Sequence, residues 1–157
     1  MAPEVNIRGM DKYLAENKKA YFDYEILEKF EAGIVLRGYE VKAVKNGNIG
    51  LKGAYVTFHN GAPFLTNAYI GLYKPAGKIE EYDPERSRQL LLKNKEIRYL
   101  TGKKEERGLT IVPLLVYIKG SKVKIQIGVG KGKRQFEKKE KIKKRDLERE
   151  IKRTLKI

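Results

Sequence analysis

The clearest local signal of the fold is the run AYVTFHNG at residues 54–61, which is followed by PFLT at 63–66. Apolar and polar side chains alternate up to Asn60-Gly61, a dipeptide that favours the left-handed backbone conformations of a type I′ turn. Alternation on both sides of such a turn is typical of a β-hairpin with one buried face. We therefore predict an antiparallel hairpin centred on Asn60-Gly61.

Further strand patterns lie on both sides of this hairpin. Residues 21–36 are rich in β-branched and aromatic types, with a bend or bulge indicated at Glu31-Ala32-Gly33. Residues 109–118 and 122–129 form two more apolar runs. Five to seven short antiparallel strands usually close on themselves to bury their edges. The sequence therefore predicts a mainly β fold: a small OB-like antiparallel barrel with two or three flanking helices.

Two helices are predicted beside this barrel. Residues 38–45 form a short helical pattern, and Asn46-Gly47 after them is typical of a helix end. Residues 85–104 are predicted to form the longest helix, because Asp83-Pro84 supplies an N-cap and a favourable first helical residue. That helix would carry several basic side chains on its outer face, Lys93 among them.

The charge pattern divides the chain into a flexible leader at 1–16, a barrel at 17–130 and a basic tail at 131–157. The tail holds 13 Lys and Arg residues against five Asp and Glu residues, so it contributes +8 of the net charge of +15. A small protein with such an excess of positive charge is expected to bind a polyanion, and nucleic acid is the commonest one.

The tail also carries a helical pattern. Leu147, Ile151 and Leu155 recur every fourth residue, which places them on one stripe of a helix. Isolated helices of this length are marginal in water, so we expect the tail to be disordered alone and helical once a polyanion neutralises it. The alternative is a solvated helix packed on the barrel by this stripe.

Several classes of protein and site are excluded or disfavoured. The chain has no Cys, so it has no disulfide, thiolate metal site or cysteine nucleophile. We see no signal peptide and no run near the ~18 apolar residues of a spanning helix, and we expect a cytoplasmic monomer. His59 is the single histidine, and no GxxxxGK[ST] loop is present. We therefore expect no metal, no cofactor and no enzyme activity.

Basic residues next to aromatic ones are the candidate RNA contacts. Lys18 and Lys19 precede three aromatic residues, of which Tyr24 is the last, and lysines can follow phosphates while an exposed ring stacks on a base. The run GKGKR at 130–134, which ends at Arg134, allows a close approach of the backbone to phosphate. Glu31 is the unusual candidate, because a carboxylate can accept hydrogen bonds from bases but cannot bind phosphate.

Six motifs occur in an order that resembles one known family. They are NKKA at 17–20, FEAGIVLRGYEVK at 30–42, DPER at 83–86, LLLK at 90–93, GLTIVPL at 108–114 and GKGK at 130–133. Together they resemble the SsrA-binding protein (SmpB) family over about residues 17–150. The resemblance implies an OB-type barrel that binds the tRNA-like domain of transfer-messenger RNA and delivers it to stalled ribosomes for trans-translation, a form of ribosome rescue. It also implies a tail that becomes helical in the empty mRNA channel.

The resemblance further implies which residues contact RNA. Carried onto this sequence, the transfer-messenger RNA contacts are Asn17, Lys18, Lys19, Glu31, Leu91, Lys124, Lys131, Gly132 and Lys133. The tail residues implied at the small-subunit RNA, the decoding centre and the mRNA channel are Phe136, Lys138, Lys139, Lys143, Lys144 and Arg145. This chain departs from the family pattern at Tyr21-Phe22, Lys93 and Phe136.

Two other functions fit the same composition. A general single-strand RNA-binding OB protein or RNA chaperone would use the tail as non-specific contact, and a ribosomal structural protein would use it as a basic arm. A preference for a folded tRNA-like RNA over a single strand of equal length, at matched salt, separates the first of these from a rescue factor.

Overall fold

The computed structural model describes residues 12–77, 79, 81–133 and 145–152. The strands in these ranges are β1 (Lys12–Glu16), β2 (Tyr24–Ile34), β3 (Ile49–Gly50), β4 (Tyr55–His59), β5 (Ala62–Thr66), β6 (Tyr69–Ile70), β7 (Arg88–Leu91), β8 (Leu109–Lys119) and β9 (Lys122–Gly132). The helices are α1 (Lys18–Asp23), α2 (Gly38–Lys45) and α3 (Asn94–Glu105), with a 3₁₀ turn at Lys74–Ala76. Residues 145–152 are also helical.

Seven of the strands form one antiparallel sheet in the order β1-β8-β9-β2-β7-β5-β4, and β3 pairs with β6. This confirms the mainly β, OB-like class with flanking helices. The expected closed barrel is wrong, because β1 and β4 end the sheet without pairing with each other. β1 instead pairs with β8 over Leu115–Ile118, on the side of β8 opposite to β9.

The main core lies on the inner face of this curved sheet. Its fully buried side chains include Val56, Leu65, Ile111, Ile125 and Ile127. Helix α3 covers this core with Leu100, which is fully buried. Burial of each such side chain is worth about 1.5–3 kcal/mol, so these residues are the main source of the fold's stability.

A smaller apolar cluster lies on the opposite face of the sheet, under α1. Ala20 of α1 packs there against Val112, Leu114, Leu115 and Tyr117 of β8. Helix α1 therefore sits on the side of the sheet that faces away from the main core.

The N-terminal part of the fold differs from the sequence-based expectation. Residues 12–16, assigned to the flexible leader, form β1. The predicted strand at 21–36 is α1 followed by β2, because Asn17 caps a helix by accepting a hydrogen bond from the Ala20 N–H. The register shift in β2 falls between Ile26 and Glu28, not at Glu31-Ala32-Gly33.

The predicted helix at 85–104 is also corrected. Residues 88–91 form β7, in which Arg88 and Leu90 are buried while Gln89 and Leu91 are exposed, and the helix begins only at Asn94. Burial of every second residue is characteristic of a strand, in which successive side chains point to opposite faces. Residues 88–91 therefore form a strand although Asp83-Pro84 is typical of a helix start. Asp83 instead accepts a hydrogen bond from the backbone N–H of Glu85.

Two local predictions are confirmed. Helix α2 spans Gly38–Lys45, as predicted. Strands β4 and β5 form the predicted hairpin, with φ of 52° at Asn60 and 77° at Gly61, the left-handed values of a type I′ turn.

A buried ion pair joins α2 to β7. The Arg88 guanidinium contacts the Glu40 carboxylate at 2.7 Å, and both side chains are fully buried. Arg86 and the backbone N–H of Arg37 donate to the other carboxylate oxygen. Burial raises the pKa of Glu40, but the Arg37 and Arg88 hydrogen bonds and the two guanidinium charges outweigh it, so the pKa lies below its ordinary value.

Candidate nucleic-acid interface

The sheet face turned away from the main core brings together residues from four strands. Gly33 of β2 pairs with Lys124 of β9 on one side and with Leu91 of β7 on the other, and Lys124 pairs in turn with Tyr117 of β8. Paired residues point to the same side of a sheet. These four residues and Glu31, two positions before Gly33 on β2, define what we call the Glu31 end of the outer face.

Leu91 is the exposed apolar residue of this end. Its relative exposure is 55%, whereas Leu90 before it is buried in the core. A Cβ added at Gly33 would lie 3.2 Å from the Leu91 Cβ, so Leu91 packs directly over the glycine. The leucine thereby presents apolar surface to solvent from a fixed position on the sheet.

Glu31 is held by two neighbours on the outer face. The Tyr117 hydroxyl donates to Oε2 at 2.6 Å, and the Lys119 amino group donates to Oε1 at 3.3 Å. Burial raises the pKa of Glu31, but the hydrogen bonds from Tyr117 and Lys119 and the charges of Lys119 and Lys124 lower it further. The pKa lies below its ordinary value, so the side chain is an ionised acceptor at neutral pH.

The second group of candidate residues lies where α1 meets the start of β2 and the end of β9. Tyr24 pairs with Gly132 across these two strands. Lys18 is exposed on α1, and Lys131 and Gly132 are exposed at the end of β9. We call this region, together with Lys133, the α1 end of the outer face.

Two predicted contact residues at the α1 end are used inside the protein. Asn17 is only 5% exposed, and its Nδ2 donates to the Pro113 carbonyl oxygen at 2.9 Å. The Lys133 amino group donates to the Tyr21 carbonyl oxygen at 2.9 Å. Both side chains therefore fix α1 on the sheet. Lys19, in contrast, is half exposed and forms an ion pair with Asp23 at 3.3 Å.

The two ends belong to one face but are well separated. Tyr24 and Gly33 are nine residues apart on β2. At about 3.3 Å per residue in a strand, the α1 end and the Glu31 end are about 30 Å apart. A ligand that contacts both must be a large one, of the size of a folded nucleic acid. Lys93 lies beyond Leu91 at the start of α3 and is exposed.

The tail is only partly described. Arg134, Phe136, Lys138, Lys139, Lys143 and Lys144 lie outside the described residues. Arg145 lies over the ring of Phe22 in α1, with its Cζ 5.9 Å from the ring centre. Leu147 and Ile151 are exposed in the helical residues 145–152, so within this part of the chain the stripe is not packed on the barrel. Leu155 is outside the described residues.

Sequence reasoning missed Tyr117 and Lys119, which hold the candidate residue Glu31 on the outer face. The register of β8 against β9 shifts between Pro113 and Leu115, which changes the face on which later residues point. Alternation counted from Ile111 therefore assigns the wrong face to Tyr117. The signal that could have found the shift is Pro113 itself, since proline inside a strand is typical of a bulge.

The described residues contain no group of three or more His, Cys, Asp or Glu side chains that could hold a metal ion. His59 is exposed and contacts the ring of Phe64. Within the same ranges, no helix has both the length and the apolar character needed to cross a bilayer.

The open antiparallel sheet, its flanking helices and its outer face define a small, basic, OB-like β protein. A family model described as "SmpB protein" matches residues 14–157. The chain therefore belongs to the SmpB family, which confirms the resemblance drawn from the motifs at 17–20 and 30–42.

Individual relatives agree with the family model. The "SsrA-binding protein" of Persephonella marina is 51% identical over 140 residues, which are 89% of this chain and 91% of the relative. The protein of the same name from a Sulfurihydrogenibium species is 51% identical over 146 residues, 93% of this chain and 95% of the relative. A solved structure described as "tmRNA-SmpB: a journey to the center of the bacterial ribosome" is 43% identical, with a TM-score of 0.65 over 77% of this chain and 85% of that chain.

Proposed function

We propose that this protein binds transfer-messenger RNA at its tRNA-like domain and delivers it to stalled ribosomes for trans-translation. The observation that carries the proposal is the outer face. It places Glu31, Leu91 and Lys124 at one end and Lys18 and Lys131 at the other, within a chain of the SmpB family. These residues come from elements far apart in sequence, and the fold gathers them on one surface.

Each of these residues has a role that its geometry supports. Lys18, Lys19 and Lys131 are exposed ammonium groups that would contact phosphates along the RNA backbone. Glu31 would accept hydrogen bonds from a base, and Leu91 would pack against a base or sugar. Asn17 and Lys133 would act indirectly, since their side chains hold α1 in place.

The basic tail would act on the ribosome. On this proposal Phe136, Lys138, Lys139, Lys143, Lys144 and Arg145 contact small-subunit RNA at the decoding centre and in the mRNA channel. The net charge of +8 on residues 131–157 supports such a role, because a channel lined by RNA is a dense array of phosphates. A message already in the channel would exclude the tail, so the tail would detect a vacant channel.

The proposed role is binding and positioning, carried out in the cytoplasm without catalysis. Transfer-messenger RNA and the ribosome would supply the chemistry. The protein would contribute a rigid face of suitable charge and a tail of suitable length, and it would need no cofactor.

A binding titration tests the proposal. The full chain is titrated with the tRNA-like domain and with an unstructured RNA of equal length, each at two salt concentrations. We expect tighter binding of the folded RNA at both, because shape recognition survives salt better than contacts with phosphates alone. Equal affinities that fall together with salt would instead identify a general RNA-binding protein or RNA chaperone.

A further inference from the structure

The chain contains two Asn-Gly dipeptides, Asn46-Gly47 at the end of α2 and Asn60-Gly61 at the tip of the β4–β5 hairpin. All four residues are exposed. The two glycines also share a left-handed backbone conformation, with φ of 79° at Gly47 and 77° at Gly61. Sequence and exposure are therefore the same at the two places, and what distinguishes them is the hydrogen bonding of the backbone.

An Asn-Gly dipeptide carries its own reactive pair of groups. The backbone nitrogen of the glycine can attack the side-chain carbon Cγ of the asparagine and close a five-membered ring, and a glycine without Cβ hinders this approach least. The N–Cγ bond forms, the Cγ–Nδ2 bond breaks, and the side-chain nitrogen leaves as ammonia with the proton of the backbone N–H. Water then opens the ring at either carbonyl, which leaves aspartate or isoaspartate, an isomer whose backbone runs through Cγ.

At the end of α2 the attacking nitrogen is already engaged. The Gly47 N–H donates to the Val44 carbonyl oxygen at 2.9 Å. The Asn46 N–H is shared between the carbonyl oxygens of Lys42 at 3.1 Å and Ala43 at 3.2 Å. Ring closure here needs rotation of the Asn46 backbone away from the helix end, and that rotation breaks the bonds that satisfy the last carbonyl groups of the helix.

At the tip of the hairpin the same nitrogen is free. Within the part of the chain that the structure describes, the Gly61 N–H has no hydrogen-bond acceptor. A Cβ added at Gly61 would meet nothing within 4 Å, so the tip has room for the rotation that ring closure needs. The turn is closed only by the last pair of the ladder, His59 with Ala62, and the end of an element opens at a lower free energy than its packed interior.

We propose that Asn60 is a site of spontaneous deamidation in the folded protein, with the Gly61 nitrogen as the nucleophile and water as the co-reactant. Asn46 is protected in the same molecule by the hydrogen bonds at the end of α2. The conversion needs no enzyme and no cofactor, and it does not depend on the proposed function.

The product changes the hairpin at its tip. Isoaspartate adds one carbon to the backbone of a two-residue turn, whose length fixes the pairing of His59 with Ala62. Either product also places a new negative charge beside these residues. β5 joins β7 through Phe64 and Leu65, which lie further along the strand, so the rest of the sheet keeps its pairing. The modified protein therefore has an altered hairpin end on an intact fold.

The test compares the two dipeptides within one molecule. The full chain is incubated at mildly alkaline pH, once folded and once unfolded in urea. Mass spectrometry of proteolytic peptides then follows conversion at each asparagine, and a protein isoaspartyl methyltransferase reports isoaspartate. In the folded chain we expect Asn60 to convert about 10-fold faster than Asn46 or more, which corresponds to about 1.4 kcal/mol between the two barriers. In urea the two rates should become similar, because both sites are then unstructured Asn-Gly dipeptides.

A variant and two outcomes decide the inference. Asn60→Gly removes the reactive side chain and keeps a residue that readily adopts a positive φ, so it should abolish most of the isoaspartate and leave conversion at Asn46 unchanged. Equal rates at the two sites in the folded chain would overturn the proposal. So would an unconverted Asn60 in the folded chain after a time in which the unfolded chain converts fully, because the turn itself would then protect it. Neither result bears on RNA binding, which the titration tests separately.

Discussion

The Lys133 amino group donates a hydrogen bond to the Tyr21 carbonyl oxygen at 2.9 Å, and these residues are 112 positions apart in the chain. The backbone N–H of Lys133 also donates to the Asp23 carbonyl oxygen at 3.0 Å. Both acceptors lie in the last turn of α1, where carbonyl groups have no partner within the helix. The start of the basic tail is thereby fastened to the helix that carries Lys18 and Lys19.

Replacing Lys133 should therefore do more than remove a charge. We expect Lys133→Ala to weaken RNA binding and to speed amide hydrogen exchange in α1, because the side-chain hydrogen bond to the Tyr21 carbonyl oxygen is lost. Lys131→Ala is the matched control, since Lys131 is exposed and has no such bond. Lys131→Ala should lower the salt dependence of RNA affinity by the equivalent of one phosphate contact and should leave amide exchange in α1 unchanged. Equal exchange rates in the two variants would contradict the structural role of Lys133.

Asn17→Ala should destabilise the protein although Asn17 lies among candidate RNA contacts. The variant loses the cap on α1 and the donor to the Pro113 carbonyl oxygen, which together are worth about 2 kcal/mol. Urea unfolding followed by circular dichroism measures the loss. Lys18→Ala, one residue along and exposed, should lower RNA affinity without changing the free energy of unfolding. Unchanged stability of Asn17→Ala would overturn the indirect role given to Asn17.

The Glu40–Arg88 pair should make stability depend on pH. The folded pKa of Glu40 lies below the unfolded value of about 4.3. The ionised Glu40 therefore contributes fully to the free energy of unfolding above the unfolded pKa, and this contribution is lost as the pH falls through the folded pKa. Chemical unfolding between pH 7 and pH 3 should show this loss.

Removing one partner of the pair provides the comparison. Glu40→Gln should lower the free energy of unfolding by about 3–5 kcal/mol at pH 7, because Arg88 stays buried without its counter-charge. In a plot of the free energy of unfolding against pH, the same variant should show a smaller fall between pH 7 and pH 3, which we call the acid limb. An acid limb as steep as that of the unmodified protein would show that other carboxylates cause it.

Glycines in β9 should differ sharply in their tolerance of a methyl group. A Cβ at Gly130 would lie 2.9 Å from the Tyr24 Cβ, whereas nothing lies within 4 Å of one at Gly132. Gly130→Ala should cost about 1–3 kcal/mol by overpacking, and Gly132→Ala should be close to neutral. Thermal unfolding of the two variants measures the difference. Similar melting temperatures would mean that Tyr24 can move away at little cost.

Removal of the tail tests the division of labour in the proposed function. A chain that ends at Lys133 keeps the two bonds to α1 and loses 11 of the 13 Lys and Arg residues of the tail. We expect it to bind the tRNA-like domain nearly as well as the full chain at moderate salt and to fail in tagging of stalled translation products. An equal loss of binding and tagging would show that the tail contributes to RNA binding itself.

The sequence predicted the elements whose local patterns agree with their surroundings. The Asn60-Gly61 hairpin and α2 have turn and end residues that suffice on their own. At Asp83-Pro84 a local helix-start pattern competed with burial of Arg88 against Glu40 from another element, and burial determined the structure. No pattern within 83–104 contains that partner, so the strand at β7 could not be predicted locally.

The candidate site shows the same limit. Lys18 and Lys131 are candidates from local motifs alone, the lysines that precede aromatic residues at 18–24 and the GKGKR run at 130–134. The internal roles of Asn17 and Lys133 depend on acceptors at Pro113 and Tyr21, which only the fold brings near. The support of Glu31 by Tyr117 depends on the register shift in β8, which alternation alone does not reveal.

The register shift near the start of β2 also bears on whether this strand could pair with a strand from another molecule. β7 pairs with β2 only at Gly33 and Ile34, so much of that edge of β2 has no partner strand within the described residues. An exposed strand edge is a template for addition of a strand from another molecule. The bulge after Ile26 twists this edge, and charged side chains at Glu25 and Lys29 flank it. Straightening β2 would thus make this edge a better template for a strand from another molecule and would favour aggregation.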